Sequence, residues 1–384
     1  MSKSSTHKKT ILIVGGSFGG LTAIQYLNSD FNVILIDRKQ FFEYTPNYPF
    51  TLIDPNYIDG MTISLEYFAK TYKCQFVEGT LISLFKDKAL IKKSNEEMLD
   101  ILFDYCIIST GSQYASSIKP ENEIKTIKQR KEQIIQQIQN FQNYKKVLVI
   151  GGGPVGVEIA GVLSDQFKNL KVSLWNRSQD LLSSFPQKSR QLADQILKSQ
   201  GVLIEYNKEV NELPLSEFDQ VFDCRGNVYA PNFMIGEFQQ YVDSLGRIQV
   251  DEYYRLKYHQ NIFCIGDACL TPNNESKMSY NAAIQGQFTG QNIISLEKNC
   301  KSLKKLEGTA NFFLIIINKN NAIQCFGNRV SQKSTSYKHS LKNKAIKSLQ
   351  GSYFYSFVSS FSRRMIILIS SCQKRKQPYH HKQS

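Results

Sequence analysis

The sequence predicts an α/β fold that contains the same strand–turn–helix–strand unit twice. Two segments carry the prediction, TILIVGGSFGGLTAIQYL at 10–27 and KVLVIGGGPVGVEIAGVL at 146–163. In each, an apolar run rich in β-branched residues leads into a glycine cluster and then into apolar residues at helical spacing. Each is followed by a second apolar run, NVILID at 32–37 and KVSLWNR at 171–177. Because 384 residues exceed one core of usual size, we expect two or three domains.

The glycine spacing of both units predicts dinucleotide binding. The second carries the full G-x-G-x-x-G fingerprint at Gly151, Gly153 and Gly156, whereas the first has Ser17 at the middle position. The first glycine permits a tight turn, the second lets a pyrophosphate approach the backbone, and the third lets helix and strand pack closely. The pyrophosphate then meets N–H groups at the helix N-terminus.

The first glycine loop, read alone, is equally compatible with an ordinary strand–turn–helix corner. Its duplication in the second unit favours two Rossmann-like dinucleotide-binding domains instead. We therefore assign the first site to the whole loop, which comprises Gly15, Gly16, Ser17, Phe18, Gly19 and Gly20.

The strand that follows each helix ends in residues that predict how an adenosine ribose is held. In the first unit this is Asp37, 22 residues after Gly15 and followed by Arg38. Its carboxylate can accept hydrogen bonds from ribose hydroxyls. In the second unit Asn176 and Arg177 stand there. They would not repel the 2′-phosphate of NADPH, so we expect NADPH to be tolerated, with NADH still open; the alternative is two ordinary surface residues.

Two later apolar runs end in small or polar residues that suit a ligand site. FDYCIISTGSQY at 103–114 ends in Thr110 and Gly111, and HQNIFCIGDACLTP at 259–272 contains Asp267. Glycine at the end of a strand allows a ligand to approach closely, and Asp267 can bind a ribityl chain or the region of a pyrophosphate. The segment 277–293 predicts a helix whose N-terminus can stabilise negative charge on a reduced flavin.

Positive charge is concentrated at one end of the chain. The net charge is +14, but thirteen Lys and Arg follow Glu307 and no Asp or Glu does, so residues 1–307 are nearly neutral. We therefore do not expect a nucleic-acid partner.

Apolar residues recur at helical spacing within this basic tail and predict peripheral contact with an anionic membrane: Phe354, Val358, Phe361, Met365 and Leu368. The alternatives are a last helix packed on the preceding domain or a basic end without fixed structure.

The eight cysteines are scattered, without a C-x-x-C pair or metal-ligand spacing. Cys264 and Cys269 flank a strand end and are expected to be packing residues. Free thiols of this kind are typical of proteins in a reducing compartment. The N-terminus is polar and no apolar window of about 18 residues occurs. We therefore expect a cytoplasmic protein that is not secreted and binds no metal.

The order of these motifs resembles that of the two-dinucleotide-binding flavoproteins of the pyridine nucleotide-disulphide oxidoreductase superfamily. The motifs GGSFGG, STGS, GGGPVGVE, CRGNVYAPN and IGDAC extend over about 8–328. Within them, DRKQFFEYTPNYP at 37–49 is similar to the apoptosis-inducing-factor-like branch, in particular the ferroptosis-suppressor type of NAD(P)H:quinone oxidoreductase. Disulphide reductases of the superfamily carry a C-x-x-x-x-C pair after the first ribose strand. No cysteine precedes Cys74 here, so a dithiol relay is excluded.

The resemblance implies two cofactors and three domains. FAD would be bound by 8–115 together with 255–305, and NAD(P)H by 116–254. A small C-terminal α+β domain at 306–384, ending in the basic tail, would close the flavin face. Hydride would pass from NAD(P)H through FAD to a quinone-like acceptor.

The resemblance also implies site residues. The first glycine loop, Asp37, Arg38, Thr110, Gly111 and Asp267 would bind FAD, and Gly151, Gly153, Gly156, Asn176 and Arg177 would bind NAD(P)H. Three residues would be catalytic: Glu158 would orient the nicotinamide, and Tyr44 and Thr45 would shape the flavin face. From the residues alone, Glu158 can equally be a partner of the helix dipole, and Tyr44-Thr45-Pro46 a plain turn.

One departure from the family pattern is Arg225-Gly226 in place of Thr-Gly, which adds a charge near the second site. Two other functions stay open at this point. One is a different flavin enzyme on the same scaffold, such as a type II NADH dehydrogenase or a ferredoxin-type reductase. The other is a mainly non-catalytic redox-sensing or nucleic-acid-binding protein.

Overall fold

The structure is a computed structural model that describes residues 8–27, 31–211, 216–300, 302–305, 312–334 and 336–350. It has the α/β fold that the sequence predicts. The strands are β1 Thr10–Val14, β2 Asn32–Asp37, β3 Phe41–Glu43, β4 Thr62–Ser64, β5 Gln75–Leu84, β6 Lys88–Lys93, β7 Met98–Leu102, β8 Tyr105–Ile108, β9 Lys146–Ile150, β10 Lys171–Trp175, β11 Leu203–Glu205, β12 Gln220–Asp223, β13 Ile248–Gln249, β14 Arg255–Leu256, β15 His259–Cys264, β16 Cys269–Leu270, β17 Phe312–Ile316, β18 Ala322–Phe326 and β19 Arg329–Lys333. The helices are α1 Phe18–Leu27, α2 Tyr48–Thr51, α3 Leu65–Tyr72, α4 Ile127–Asn143, α5 Pro154–Gln166, α6 Gln187–Ser199, α7 Ser279–Glu297 and α8 Ser336–Leu349.

The largest sheet has eight strands in the order β14-β15-β8-β1-β2-β5-β6-β7. The five strands from β15 to β5 are parallel, and β14, β6 and β7 are antiparallel additions. The run Ile11–Val14 of β1 is buried throughout, as expected of a central parallel strand. Because β14 and β15 follow a long intervening segment, we propose that two separate stretches of the chain form this domain.

The second sheet has four parallel strands in the order β11-β10-β9-β12. The repeated unit predicted from the sequence lies here as β9, the glycine turn, α5 and β10. Parallel strands place their carboxyl ends at one edge, where ligands bind in open α/β sheets. The second glycine loop therefore opens at that edge, as the first loop does in the large sheet.

Helices α1 and α7 cross with their backbones in close contact. A Cβ atom added to Gly286 would lie 2.2 Å from the carbonyl oxygen of Gly19, so only glycine allows this approach. The crossing brings the start of α7, the helix predicted at 277–293, beside the first glycine loop.

The C-terminal part contains an antiparallel sheet, β17-β18-β19, and helix α8. Strand β17 lies against α5, and α8 contacts the first domain, where the Tyr72 hydroxyl donates to the Ser348 carbonyl at 2.8 Å. The amphipathic segment predicted at 354–368 lies outside the described residues. Within the described part of the chain, no helix is long and apolar enough to cross a membrane.

Candidate active site

A cleft of about 900 Å³ lies at the carboxyl edge of the large sheet. One wall is the first glycine loop with the turns that follow β8 and β15. The opposite wall is the beginning of α5 together with β17. Its lining includes Gly15, Ser17, Asp37, Thr110, Asp267, Pro154, Glu158 and Ile315. The first glycine loop and the beginning of α5, which follows the second loop, therefore line a single space.

The first glycine loop has the geometry that its fingerprint predicts. Gly15 has a φ of +111°, and a Cβ there would lie 2.2 Å from the Ser109 carbonyl oxygen. A Cβ on Gly20 would lie 2.1 Å from the Gly15 carbonyl oxygen. Asp37 holds the loop, because its Oδ2 accepts a hydrogen bond from the Gly16 N–H at 2.7 Å. The residues present thus fit a bound dinucleotide.

The second glycine loop repeats this geometry. Gly151 has a φ of +108°, and a Cβ on Gly156 would lie 1.9 Å from the Gly151 carbonyl oxygen. The Gly152 N–H donates to Asn176 Oδ1 at 3.1 Å, as Gly16 does to Asp37. Asn176 therefore stands where Asp37 stands, as the alignment of the two units predicts.

The middle position of the fingerprint borders open space in the second loop and lines the cleft in the first. A Cβ on Gly153 would have no atom within 4 Å. Ser17 takes the matching position in the first loop and lines the cleft. The side chain of Ser17 therefore adds atoms to the first loop at a position that lines the cleft.

We expect Ser17→Gly to keep bound flavin and Ser17→Leu to lose most of it, because a leucine would fill the space that a pyrophosphate needs. Flavin content per chain, from the absorbance of the purified proteins, measures the effect. Equal flavin content in the two variants would show that this loop does not touch the cofactor.

Four cations line the first-loop side of the cleft: Arg38, Lys39, Lys119 and Lys277. Arg38 donates to the carbonyls of Pro120 and Glu121, both at 3.1 Å, and burial lowers its pKa. Lys119 Nζ lies 3.6 Å from Asp267 Oδ2 and 5.2 Å from the ring centre of Tyr114, and burial lowers its pKa as well. Such a cluster suits a pyrophosphate.

Lys119 was not among the site residues that the sequence predicts. It lies in the irregular segment between β8 and α4, where no periodicity or spacing marks it. Its Nζ donates to the Ser112 carbonyl at 2.7 Å, and the Ser112 hydroxyl donates to Asp267 at 2.8 Å. The three residues therefore join the turns after β8 and β15 on the cleft wall.

A chain of buried hydrogen bonds supports the turn that carries Asp267. The Gly266 N–H donates to Gln285 Oε1 at 2.7 Å, and Gln285 Nε2 donates to Glu275 Oε2 at 2.6 Å. Burial raises the pKa of Glu275. Because the carboxylate accepts from Nε2, it fixes which way the Gln285 amide points.

The turn after β8 places Thr110 and Gly111 in the lining of the cleft. Gly111 has a φ of +71°, and a Cβ there would have no atom within 4 Å. The backbone at this point is therefore open to a ligand.

Glu158 lies where the cleft meets the C-terminal sheet. It begins the second turn of α5 and is only 8% exposed. Its Oε1 accepts a hydrogen bond from the backbone N–H of Ile316 at 2.9 Å. Neither sequence interpretation included this contact, which joins α5 to β17 and holds the carboxylate in the cleft wall.

The structure separates the two residues predicted to shape the flavin face. Thr45 lines the cleft with Pro46. Tyr44 does not: it is 7% exposed, its ring lies 5.4 Å from that of Phe18, and burial raises its pKa. The structure contradicts the prediction for Tyr44, because this residue follows β3 and is buried in the core against Phe18 instead of lining the cleft.

The charge that Arg225 adds is compensated locally. Its Nη2 lies 2.8 Å from Asp223 Oδ2, and its hydrogen bonds lower the pKa of that carboxyl. Arg177, by contrast, is exposed at the end of β10.

The described part of the chain contains neither a disulphide nor a cluster of metal-ligating side chains. The seven cysteines there, Cys264 and Cys269 included, form no disulphide. In the same residues, no group of three His, Cys, Asp or Glu could hold a metal ion.

Two solved structures share this architecture. The sulfide:quinone oxidoreductase of Aquifex aeolicus has a TM-score of 0.73 at 15% identity, covering 90% of this chain and 92% of that one. NDH2 of Plasmodium falciparum, in complex with NADH, has a TM-score of 0.71 at 13% identity, covering 92% of this chain and 98% of that one. At these identities the likeness concerns the fold.

Sequence comparison identifies relatives of this chain and its family. Apoptosis-inducing factor homolog A of Dictyostelium discoideum is 27% identical over 342 residues, covering 78% of this chain and 80% of that protein. Ferroptosis suppressor protein 1 of Mus musculus is 26% identical over 342 residues, covering 82% and 87%. The pyridine nucleotide-disulphide oxidoreductase family matches residues 9–286, which carry both glycine loops and the Gly266-Asp267 turn. The chain therefore belongs to the pyridine nucleotide-disulphide oxidoreductase family and is an NAD(P)H-dependent oxidoreductase.

Proposed function

We propose that the chain is an FAD-dependent oxidoreductase that transfers hydride equivalents from NAD(P)H to a quinone-like acceptor. One observation carries the proposal: the first glycine loop and the beginning of α5, which follows the second loop, line the same cleft. Two dinucleotides held by these loops would bring their reactive rings together, which is the positioning that hydride transfer needs.

The first-loop side is proposed to hold FAD. Asp37 would accept hydrogen bonds from the adenosine ribose, the cations Arg38, Lys39 and Lys119 would face the pyrophosphate, and Asp267 would bind near the ribityl chain. When bound, the flavin supplies the two-electron chemistry between nucleotide and acceptor. The chain's own residues bind it, orient it and exclude water around it.

The second-loop side is proposed to hold NAD(P)H, with Gly151, Gly153 and Gly156 at the pyrophosphate. Glu158 would orient the nicotinamide, because its contact with Ile316 fixes the carboxylate at the cleft. Leu314 and Ile315 of β17 line the cleft beside it and would keep water from the reacting rings. Thr45 would shape the wall on the flavin side.

The acceptor is proposed from the resemblance to ferroptosis-suppressor-type oxidoreductases. A quinone would be drawn from a membrane, where the basic tail predicted from the sequence would dock a cytoplasmic protein peripherally. Ferredoxin-type reduction is the alternative that the choice of acceptor separates, and a type II NADH dehydrogenase activity is the alternative that the choice between NADH and NADPH separates.

Anaerobic reduction followed by reoxidation tests the proposal. We expect the purified protein to be yellow, to be bleached by NADH or NADPH, and to be reoxidised faster by ubiquinone analogues than by ferredoxin. A colourless protein that binds no FAD would contradict the flavin assignment. A bleached protein that only ferredoxin reoxidises would contradict the acceptor.

A further inference from the structure

A second cavity, of about 300 Å³, lies beside the buried hydrogen bonds that support the Asp267 turn. The residues that line it include Glu252, Tyr254, Thr271 and Glu275, none of which lines the active-site cleft. The carboxyl group of Glu275 therefore reaches the support of the turn from outside the cleft. Glu275 can influence the cleft only through the residues that it contacts.

Three hydrogen bonds fix Glu275 at the wall of this cavity. Its backbone N–H donates to Thr271 Oγ1 at 3.2 Å, and the Tyr254 hydroxyl donates to its Oε1 at 3.4 Å. Its Oε2 accepts from Gln285 Nε2 at 2.6 Å. Glu275 and Tyr254 are 8% and 1% exposed. Both carboxyl oxygens are therefore engaged inside the protein, and the shorter contact is the one with Gln285.

Gln285 can satisfy both of its neighbours in one orientation only. The Gly266 N–H is a donor and meets Gln285 Oε1 at 2.7 Å, whereas the Glu275 carboxylate is an acceptor and faces Nε2. A reversed amide would set two donors against each other at Gly266 and two acceptors against each other at Glu275. Gln285 is 2% exposed, so these mismatches would be costly. Its backbone is held as well, because the next residue is Gly286, which packs against Gly19.

We propose that Glu275 is a positioning residue for the flavin site: it sets the orientation of the Gln285 amide and so holds the Asp267 turn in the cleft wall. This inference rests on the proposed function, which places FAD against Asp267. On the cleft side Ser112 and Lys119 also contact Asp267, at 2.8 and 3.6 Å. Loss of Glu275 therefore displaces the turn and weakens flavin binding without removing the site.

Leucine at position 275 removes the acceptor, whereas glutamine keeps one. We expect Glu275→Leu to raise the FAD dissociation constant about tenfold, because the freed amide of Gln285 no longer holds the Gly266 N–H. Glu275→Gln should bind FAD as the wild-type protein does, since its carbonyl oxygen still accepts from Gln285. Release of FAD from the holoprotein on dilution, followed by flavin fluorescence, measures the effect.

An exchanged pair separates orientation from simple packing. Gln285→Glu alone sets two carboxylates against each other and should weaken FAD binding by about tenfold as well. The double variant Glu275→Gln with Gln285→Glu should recover wild-type binding, because the carboxylate on α7 then accepts from both Gly266 and the new amide. Glu252→Leu is the matched control. It removes a carboxylate from the same cavity, where Glu252 lies 3.5 Å from Lys305, and should change nothing.

Hydrogen exchange at the Gly266 amide follows the turn without relying on the flavin. We expect faster exchange in Glu275→Leu and wild-type exchange in Glu275→Gln. Wild-type FAD release and wild-type Gly266 exchange in Glu275→Leu would overturn the inference, as would an exchanged pair that recovers neither. A protein that binds no flavin, but whose Gly266 exchange still depends on Glu275, would retain this network and contradict the proposed function alone.

Discussion

Replacing Arg130 with methionine is expected to lower the free energy of unfolding by about 3–5 kcal/mol. The side chains of Arg130 and Glu43 are 0% and 1% exposed, and both Nε–Oε2 and Nη2–Oε1 are 3.1 Å apart. Arg130 also donates to the carbonyl of Ile118 at 2.8 Å. The methionine would leave the Glu43 carboxylate buried without a counter-ion, and chemical denaturation measures the loss.

Lys131→Met is the matched control, because it removes the next cation of the same helix. Lys131 pairs with Asp59 at 2.7 Å, but the two side chains are 29% and 55% exposed. We expect this change to cost about 0–1 kcal/mol. Combining Arg130→Met with Glu43→Leu should restore much of the stability, since no unpaired charge then remains buried. Equal losses from Arg130→Met and Lys131→Met would contradict the account of the buried pair.

Gly161→Ala is expected to destabilise the protein by about 1–3 kcal/mol and to slow flavin reduction by about 10²-fold. A Cβ on Gly161 would lie 1.9 Å from the carbonyl oxygen of Ile317. Strand β17 would have to retreat by roughly 1.5 Å to restore ordinary contact. That shift would break the hydrogen bond from Ile316 to Glu158 and displace the cleft wall. Flavin content should stay near one per chain, because the first loop lies in the other sheet.

Stopped-flow reduction under anaerobic conditions measures this effect. Asp165→Ala serves as control, because it lies on the same helix, where its carboxylate accepts a 3.4 Å hydrogen bond from the Lys319 backbone. We expect that variant to reduce its flavin at close to the wild-type rate. Wild-type rate and stability in Gly161→Ala would show that the packing of β17 on α5 does not position the nicotinamide.

The parts of the fold that the sequence predicts correctly are those set by neighbouring residues. Each strand–turn–helix–strand unit is formed by one short segment. Within it, an apolar run ends at the glycines and apolar residues at helical spacing begin after them. The positive φ of Gly15 and Gly151 and the equivalence of Asp37 and Asn176 follow from that local pattern. That Thr110 and Asp267 lie in one cleft also follows from the sequence, because parallel strands end at a common edge.

The remaining features arise from residues that are far apart in the chain. Glu43 and Arg130 are 87 positions apart, and Glu158 and Ile316 are 158 apart. No periodicity links such pairs, so the sequence predicts the helix that carries Glu158 but not the strand that contacts it. Tyr44 and Thr45 are neighbours just after β3, yet only Thr45 lines the cleft, and no periodicity in this irregular stretch predicts that difference. Lys119 lies in an irregular segment whose path only the folded chain determines.

The most direct test of the central claim, that the two loops serve one cleft, is anaerobic flavin reduction in Gly153→Leu. Gly153 has an ordinary φ, and a Cβ there would contact no protein atom within 4 Å, so the variant should fold and keep its flavin. The leucine would fill the space of the nucleotide pyrophosphate. We predict that dithionite bleaches this variant but NADPH and NADH do not, while all three bleach the wild-type protein. Bleaching of Gly153→Leu by NADPH at the wild-type rate would contradict the account.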